Sequence, residues 1–172
     1  WFGVHPEYVA GHSYGELVAL CAAGVLDTET FFVLSKRRGQ LMGRRKGDKG
    51  SMLAVQADED TVNTVTQEQQ LDLVIANKNS PQQTVLSGAT SEIERARDIF
   101  KRREFRCKQL SVAAAFHSKF VSDASGAFLE TLQQVELHPP KLPVYANSTA
   151  ERYSDDVNQI REILAGQLAN PV

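Results

Sequence analysis

A serine flanked by two glycines, in the run Gly11-His12-Ser13-Tyr14-Gly15-Glu16, follows the short apolar stretch Tyr8-Val9-Ala10 and precedes the helical pattern Leu17 to Ala23. This arrangement leaves the chain few ways to fold. A strand that feeds a helix through so short a turn needs residues without a Cβ where the two backbones approach. It leaves the central serine exposed in a strained conformation. The helix that starts there aims its first N–H groups and the positive end of its dipole at the serine. A hydroxyl so placed attacks acyl carbonyls, with the amide of Tyr14 as a donor to the tetrahedral oxyanion.

Asp27 is a helix N-cap, with Thr28, Glu29 and Thr30 in the first turn of a helix running to about Met42. Phe31, Leu34, Leu41 and Met42 form its apolar stripe, and Arg38 lies in the middle of it. Lys36 and Arg37 project elsewhere, into solvent. A guanidinium facing inward requires an anion opposite, because an unpaired buried charge is costly. Two arrangements meet that requirement: an ion pair with a protein carboxylate, or a bidentate fork for the carboxylate of a substrate.

Of the four histidines His5, His12, His117 and His138, His117 is the candidate general base. It ends the apolar run Val112 to Phe116 just before an amphipathic helix carrying Phe120, Val121, Ala124, Phe128 and Leu132, and such strand and loop ends display catalytic groups. No carboxylate is marked out to orient its imidazole. The last helix, with Val157, Ile160, Leu164 and Leu168 on its apolar face, is expected to stop at Asn170-Pro171. Because proline has no N–H, the Gln167 carbonyl is left without its helical donor. Either water caps it or the Nδ1–H of His117 does.

Between Arg38 and His117 the pattern alternates as strand 52–57, helix 60–67, strand 71–76, strand 83–87, helix 91–103 and strand 106–112. This is the ferredoxin-like βαββαβ order, placed as an insertion at 51–112 in a body made of 1–50 and 113–172. The basic run 43–50 is either solvated or in contact with an anionic partner. With 42% hydrophobic and 23% charged residues and a net charge of −2, the 172-residue chain is globular in type. It gives no support for nucleic-acid binding. No apolar run approaches the roughly 18 residues of a membrane span. Cys21 and Cys107 lack metal-site spacing, which suggests reduced thiols and a cytoplasmic setting.

Several segments together resemble the malonyl-CoA:acyl-carrier-protein acyltransferases, in particular the acyltransferase domains of polyketide and polyunsaturated-fatty-acid synthases. They are Gly11 to Glu16, Arg38-Gly39-Gln40-Leu41-Met42, Ile75-Ala76-Asn77 through Asn79-Ser80-Pro81, Val85 to Gly88, Ala115-Phe116-His117-Ser118, and Gln167 to Val172. The resemblance implies an α/β fold with an α/β-hydrolase-like body around the ferredoxin-like insertion. It implies Ser13 as nucleophile, His117 as base, Arg38 as clamp for the malonyl carboxylate and the Gln167 carbonyl as the group orienting His117. His12, the Tyr14 amide and Phe116 complete the substrate-binding set, the bulk of Phe116 favouring malonyl over methylmalonyl. The family's second oxyanion donor sits in a loop upstream of Trp1, so the chain is expected to be part of a larger protein. Malonyl-CoA is the implied substrate and the phosphopantetheine arm of an acyl carrier protein the acceptor, with other synthase domains as partners and no metal or bound cofactor. From the residues alone, two readings stay open beside this one: a serine hydrolase or thioesterase acting on acyl-CoA through the same Ser13 and His117, and a non-catalytic piece.

Overall fold

The computed structural model describes residues 3, 5–43, 48, 50–110 and 122–171. The chain divides into two compact units. One comprises Trp1–Leu41 and Ser125–Gln167, the other Met42–Ala124 and Leu168–Val172. His117, Phe116 and the cationic side chains of the 43–50 run lie outside the described residues.

In the first unit, strand β1 (Val9–Ala10) leads into helix α1 (Tyr14–Ala22), followed by α2 (Thr28–Gly43). The later segment of the unit contributes α5 (Ser122–Gln133), β6 (Val144–Tyr145) and α6 (Val157–Gly166). β1 and β6 pair in parallel, Val9 opposite Val144 and Ala10 opposite Tyr145. β1 covers two residues of the apolar stretch 8–10, because the turn already begins at Gly11. Asp27 caps α2 as expected, its Oδ1 accepting the Thr30 N–H at 2.7 Å. Ser125 donates to the Ala165 carbonyl at 2.7 Å, tying α5 to α6. Arg161 donates to the Leu132 and Val135 carbonyls at 2.9 and 3.1 Å, satisfying acceptors that the end of α5 leaves open. Leu17, Leu20, Leu34, Phe128, Leu132, Ile160 and Leu164 are buried.

The second unit runs β2 (Ser51–Val55), α3 (Glu59–Glu68), β3 (Leu73–Ser80), β4 (Gln83–Gly88), α4 (Thr90–Arg102) and β5 (Cys107–Leu110). Its sheet has the strand order β3-β4-β2-β5 and is antiparallel throughout. Leu53 and Val55 of β2, Leu86 of β4, Val62 and Val65 of α3, and Ile93, Ala96, Ile99 and Phe100 of α4 form one core. The spacing along both helices presents one apolar stripe to one face of the sheet. β3 extends four residues past the expected 71–76 run, through two irregularities of register. Lys78 and Ser80 pair with Thr84 and Gln83 while remaining exposed, so the hydrophobic alternation ends before the strand pairing does. Asp48 lies within the otherwise basic loop. Its carboxylate accepts from the Thr90 N–H at 3.0 Å and the Thr90 hydroxyl at 2.6 Å, which caps α4 where Ala89 has no side chain to do so.

Among the described residues no helix is long and apolar enough to cross a membrane. Cys21 and Cys107 are free cysteines.

Candidate active site

Ser13 stands at the N-cap of α1 with φ 53° and ψ −109°, a left-handed backbone in a residue that carries a Cβ. Such strain costs on the order of 1–3 kcal/mol and persists only where the surroundings fix it. Gly11 makes the turn possible, since a Cβ there would lie 2.0 Å from the Gly15 carbonyl oxygen. The second glycine is not needed for space, because a Cβ on Gly15 would meet nothing within 4 Å. The hydroxyl of Ser13 makes no capping bond to α1. The Gly15 N–H is spent on the His12 carbonyl at 2.9 Å and the Glu16 N–H on the Ser13 carbonyl at 3.0 Å. Among the described residues the Tyr14 N–H, first in the helix, bonds no acceptor.

Arg38 comes to this turn from α2. Its Nη2 lies 3.3 Å from Ser13 Oγ and 3.4 Å from Gln167 Oε1, and its Cζ lies 5.8 Å from the centre of the Tyr14 ring. Arg38 is 9% exposed. Burial pulls its pKa below the ordinary arginine value, opposed by Tyr14 and Glu16. Among the described residues no carboxylate lies within ion-pair distance of it. Lys36 is exposed, as its place on the helix predicts, but Arg37 is half-buried and donates from Nε to Thr131 Oγ1 at 3.3 Å.

The turn is held from below by a network that local sequence patterning does not mark. Glu16 is fully buried and accepts from Gln167 Nε2 at 2.7 Å, from the Tyr153 hydroxyl, and from the Asn147 N–H at 3.4 Å. Desolvation raises its pKa above the usual glutamate range, while those donors and the charge of Arg38 work against the rise. Burial, with Glu16 alongside, likewise pushes the Tyr153 hydroxyl far up, so it stays protonated and donates. Gln167 Nε2 also donates to the Ser13 carbonyl at 2.6 Å. The Gln167 amide therefore separates Arg38 from Glu16, its oxygen toward the guanidinium and its nitrogen toward the carboxylate.

Over residues 1–172 the chain matches the family described as the acyl transferase domain. It belongs to that family, which comprises malonyl-CoA:acyl carrier protein transacylases and polyketide synthase acyltransferases. The polyketide biosynthesis protein PksE of Bacillus subtilis is 40% identical over 174 residues, covering 99% of this chain and 22% of the relative. A solved malonyl CoA-acyl carrier protein transacylase from Burkholderia pseudomallei superposes with a TM-score of 0.92 at 41% identity, covering 99% of this chain and 58% of that one. A malonyl-transacylase solved in complex with a type II polyketide acyl carrier protein gives 0.91 at 31% identity, covering 99% and 57%. The chain thus spans less than two thirds of each of these relatives. Its α/β fold, with one parallel and one antiparallel sheet, is that of the solved acyltransferases.

Within this acyltransferase chain the structure brings together Ser13, Arg38, Tyr14 and Gln167 from the set expected in the sequence. His12 is exposed on the turn. Gln167 enters differently from the expectation, which concerned its backbone carbonyl. α6 ends at Gly166, four residues before Asn170, and Gln167 is its C-cap, with the side chain turned into the network. Gln167 keeps helical dihedrals, φ −54° and ψ −28°, and its N–H still bonds the Ile163 carbonyl at 3.0 Å, so the chain holds its helical path through this residue and the regular helix ends just after Gly166, a poor helix former. The geometry from the Gln167 carbonyl to His117 falls outside the described residues. Glu16, Asn147 and Tyr153 were not singled out from sequence as part of the site. The available signal for Asn147 was its place just beyond β6, a strand parallel to β1, since polar groups at the C-terminal ends of parallel strands line sites in α/β folds. Among the described residues no group of three or more His, Cys, Asp or Glu is placed to hold a metal ion.

Proposed function

We propose that this chain carries the acyl-transfer site of a malonyl-CoA:acyl carrier protein acyltransferase serving polyketide or fatty-acid synthesis. Its body is of the α/β-hydrolase type (1–50 and 113–172) and its insertion (51–112) ferredoxin-like, a reading supported by the parallel β1–β6 pair and the β3-β4-β2-β5 order. The observation that carries the function is the buried Arg38 guanidinium 3.3 Å from the hydroxyl of a strained serine, with no carboxylate partner among the described residues. A malonyl thioester delivers the missing anion to that place. The names of the solved relatives support the same substrate and an acyl carrier protein as acceptor.

In the mechanism, His117 takes the proton of Ser13 as Oγ attacks the thioester carbonyl carbon. The Tyr14 N–H holds the oxyanion. The carbon–sulfur bond breaks, the CoA thiolate receives the proton from His117, and a malonyl ester remains on Ser13. The phosphopantetheine thiol of the carrier then gives its proton to His117 and attacks the ester, and Ser13 Oγ leaves with that proton. The Gln167 carbonyl holds the His117 imidazole through Nδ1–H, and Phe116 restricts the α-carbon. His12 lines the substrate path. No metal or bound cofactor takes part, and free Cys21 and Cys107 support a cytoplasmic setting. The test is partition of the acyl group in the full-length protein: rapid transfer to a carrier thiol with slow release of malonate to water supports transfer. Release to water as fast as transfer would make the protein a hydrolase.

A further inference from the structure

Asn147 reaches the Ser13 turn from more than 130 positions away, and its carboxamide closes both ends of the His12 segment. Oδ1 accepts the Ser13 N–H at 2.6 Å and Nδ2 donates to the Gly11 carbonyl at 2.8 Å. The two partners fix which end of the amide is oxygen, since an N–H needs an acceptor and a carbonyl needs a donor. Asn147 is itself held, its own N–H facing Glu16 Oε1 and the neighbouring Ala146 N–H donating to the Glu151 carbonyl at 2.9 Å. On the other side Gln167 holds the Ser13 carbonyl. The peptide groups on both sides of the nucleophile are thus clamped by two carboxamides, one donating and the other both donating and accepting.

We propose that Asn147 is a positioning residue for acyl transfer. It keeps Ser13 at its positive φ, so that Oγ faces Arg38 and the Tyr14 N–H stays aimed at the oxyanion. The proposal rests on the reading of Ser13 as the acylated nucleophile. It requires a side chain that donates and accepts at once, and this gives a specific test. In Asn147→Asp an ionised carboxylate still accepts from the Ser13 N–H but turns a lone pair on the Gly11 carbonyl. A protonated carboxyl restores both bonds, its O–H donating to Gly11. The charged or titratable groups in the network around this position are Glu16 from α1, which accepts from the Asn147 N–H, Tyr153, which donates to Glu16, and Arg38 from α2, 3.3 Å from Ser13 Oγ. Rates are therefore expressed as the ratio of variant to wild type at each pH, which cancels their own titration to first order.

In the full-length protein, Asn147→Ala should slow malonyl loading of Ser13 by ten-fold or more in kcat, with KM for malonyl-CoA within about two-fold of wild type, because both polar ends of the Asn147 carboxamide are spent on the backbone of the turn. The Asn147→Asp ratio should be as low near pH 8 and climb several-fold as the pH falls toward 5. Labelling of Ser13 by a serine-directed phosphonate should follow the same pattern, and it needs no malonyl-CoA. Wild-type kcat and labelling rate in Asn147→Ala, or an Asn147→Asp ratio flat with pH, would overturn the positioning role. If Asn147→Ala does not fold, the Asn147→Asp series decides alone. Failure of wild type to take a malonyl group while the phosphonate still labels Ser13 would count against the malonyl reading. The labelling rates of the variants would still decide the role of Asn147.

Discussion

Removal of the Arg38 guanidinium separates a substrate clamp from a structural charge. In Arg38→Ala the protein loses two long hydrogen bonds, of 3.3 Å to Ser13 Oγ and 3.4 Å to Gln167 Oε1, and one stacking contact 5.8 Å above Tyr14. Bonds of that length are weak, and a cation–π contact contributes about 0.5–2 kcal/mol. Against them stands the desolvation of a side chain that is 9% exposed, which the substitution relieves. The net change in folding stability should therefore stay within about 1–2 kcal/mol. Substrate loading behaves otherwise. Losing one member of a desolvated charge pair costs about 2–5 kcal/mol, so malonyl loading should fall by about thirty-fold or more. Acetyl-CoA has no carboxylate to strand, and its loading should hold or improve. Thermal melting, with parallel loading assays on the two thioesters, gives all three quantities. An acetyl-to-malonyl ratio equal to wild type would refute the clamp, and so would a collapse of the melting temperature with both thioesters equally impaired.

Glu16 makes a pH-dependent prediction. Its folded-state pKa is raised by burial, so its contribution to stability is complete below the ordinary glutamate value and is lost as the pH rises through the folded-state value. Within that window it adds a downward slope of at most about 1.4 kcal/mol per pH unit. Glu16→Gln should remove that slope in denaturant titrations at several pH values, and a slope unchanged from wild type would contradict the assignment. Phe116→Ser should raise methylmalonyl loading relative to malonyl in direct competition. One pocket methyl is worth about 1–3 kcal/mol, so a shifted ratio is expected and not a switch, while an unchanged ratio would remove Phe116 from the selectivity argument.

The parts of the site visible in the sequence are those set by local chemistry. The turn at Ser13 follows from Gly11, whose missing Cβ permits the approach to Gly15, and from a strand and a helix with only that turn between them. Arg38 is legible because α2 has a regular stripe, and a cation within it breaks the pattern; Leu34 and Arg38 are both buried. Asn147, Tyr153 and the side-chain role of Gln167 are not legible in this way. Each acts on Ser13 or Glu16 across more than 130 positions, a relation that neither periodicity nor capping rules encode. Glu16 stands in the first turn of a helix, where the dipole favours any acidic residue, and only the packing shows that it is enclosed. The strand and helix order of the second unit was visible in its alternation, while the far end of β3 was not, since backbone pairing there continues through polar, exposed residues.

The central claim is that Ser13 carries a malonyl group between two thiols. Mass spectrometry of the full-length protein after brief exposure to malonyl-CoA, followed by peptide mapping, tests it directly. The expected result is a single malonyl ester on the peptide holding Ser13, discharged by a carrier-protein thiol and absent from Ser13→Ala. A malonyl adduct of undiminished yield in Ser13→Ala, or one mapped to any other residue, would contradict it.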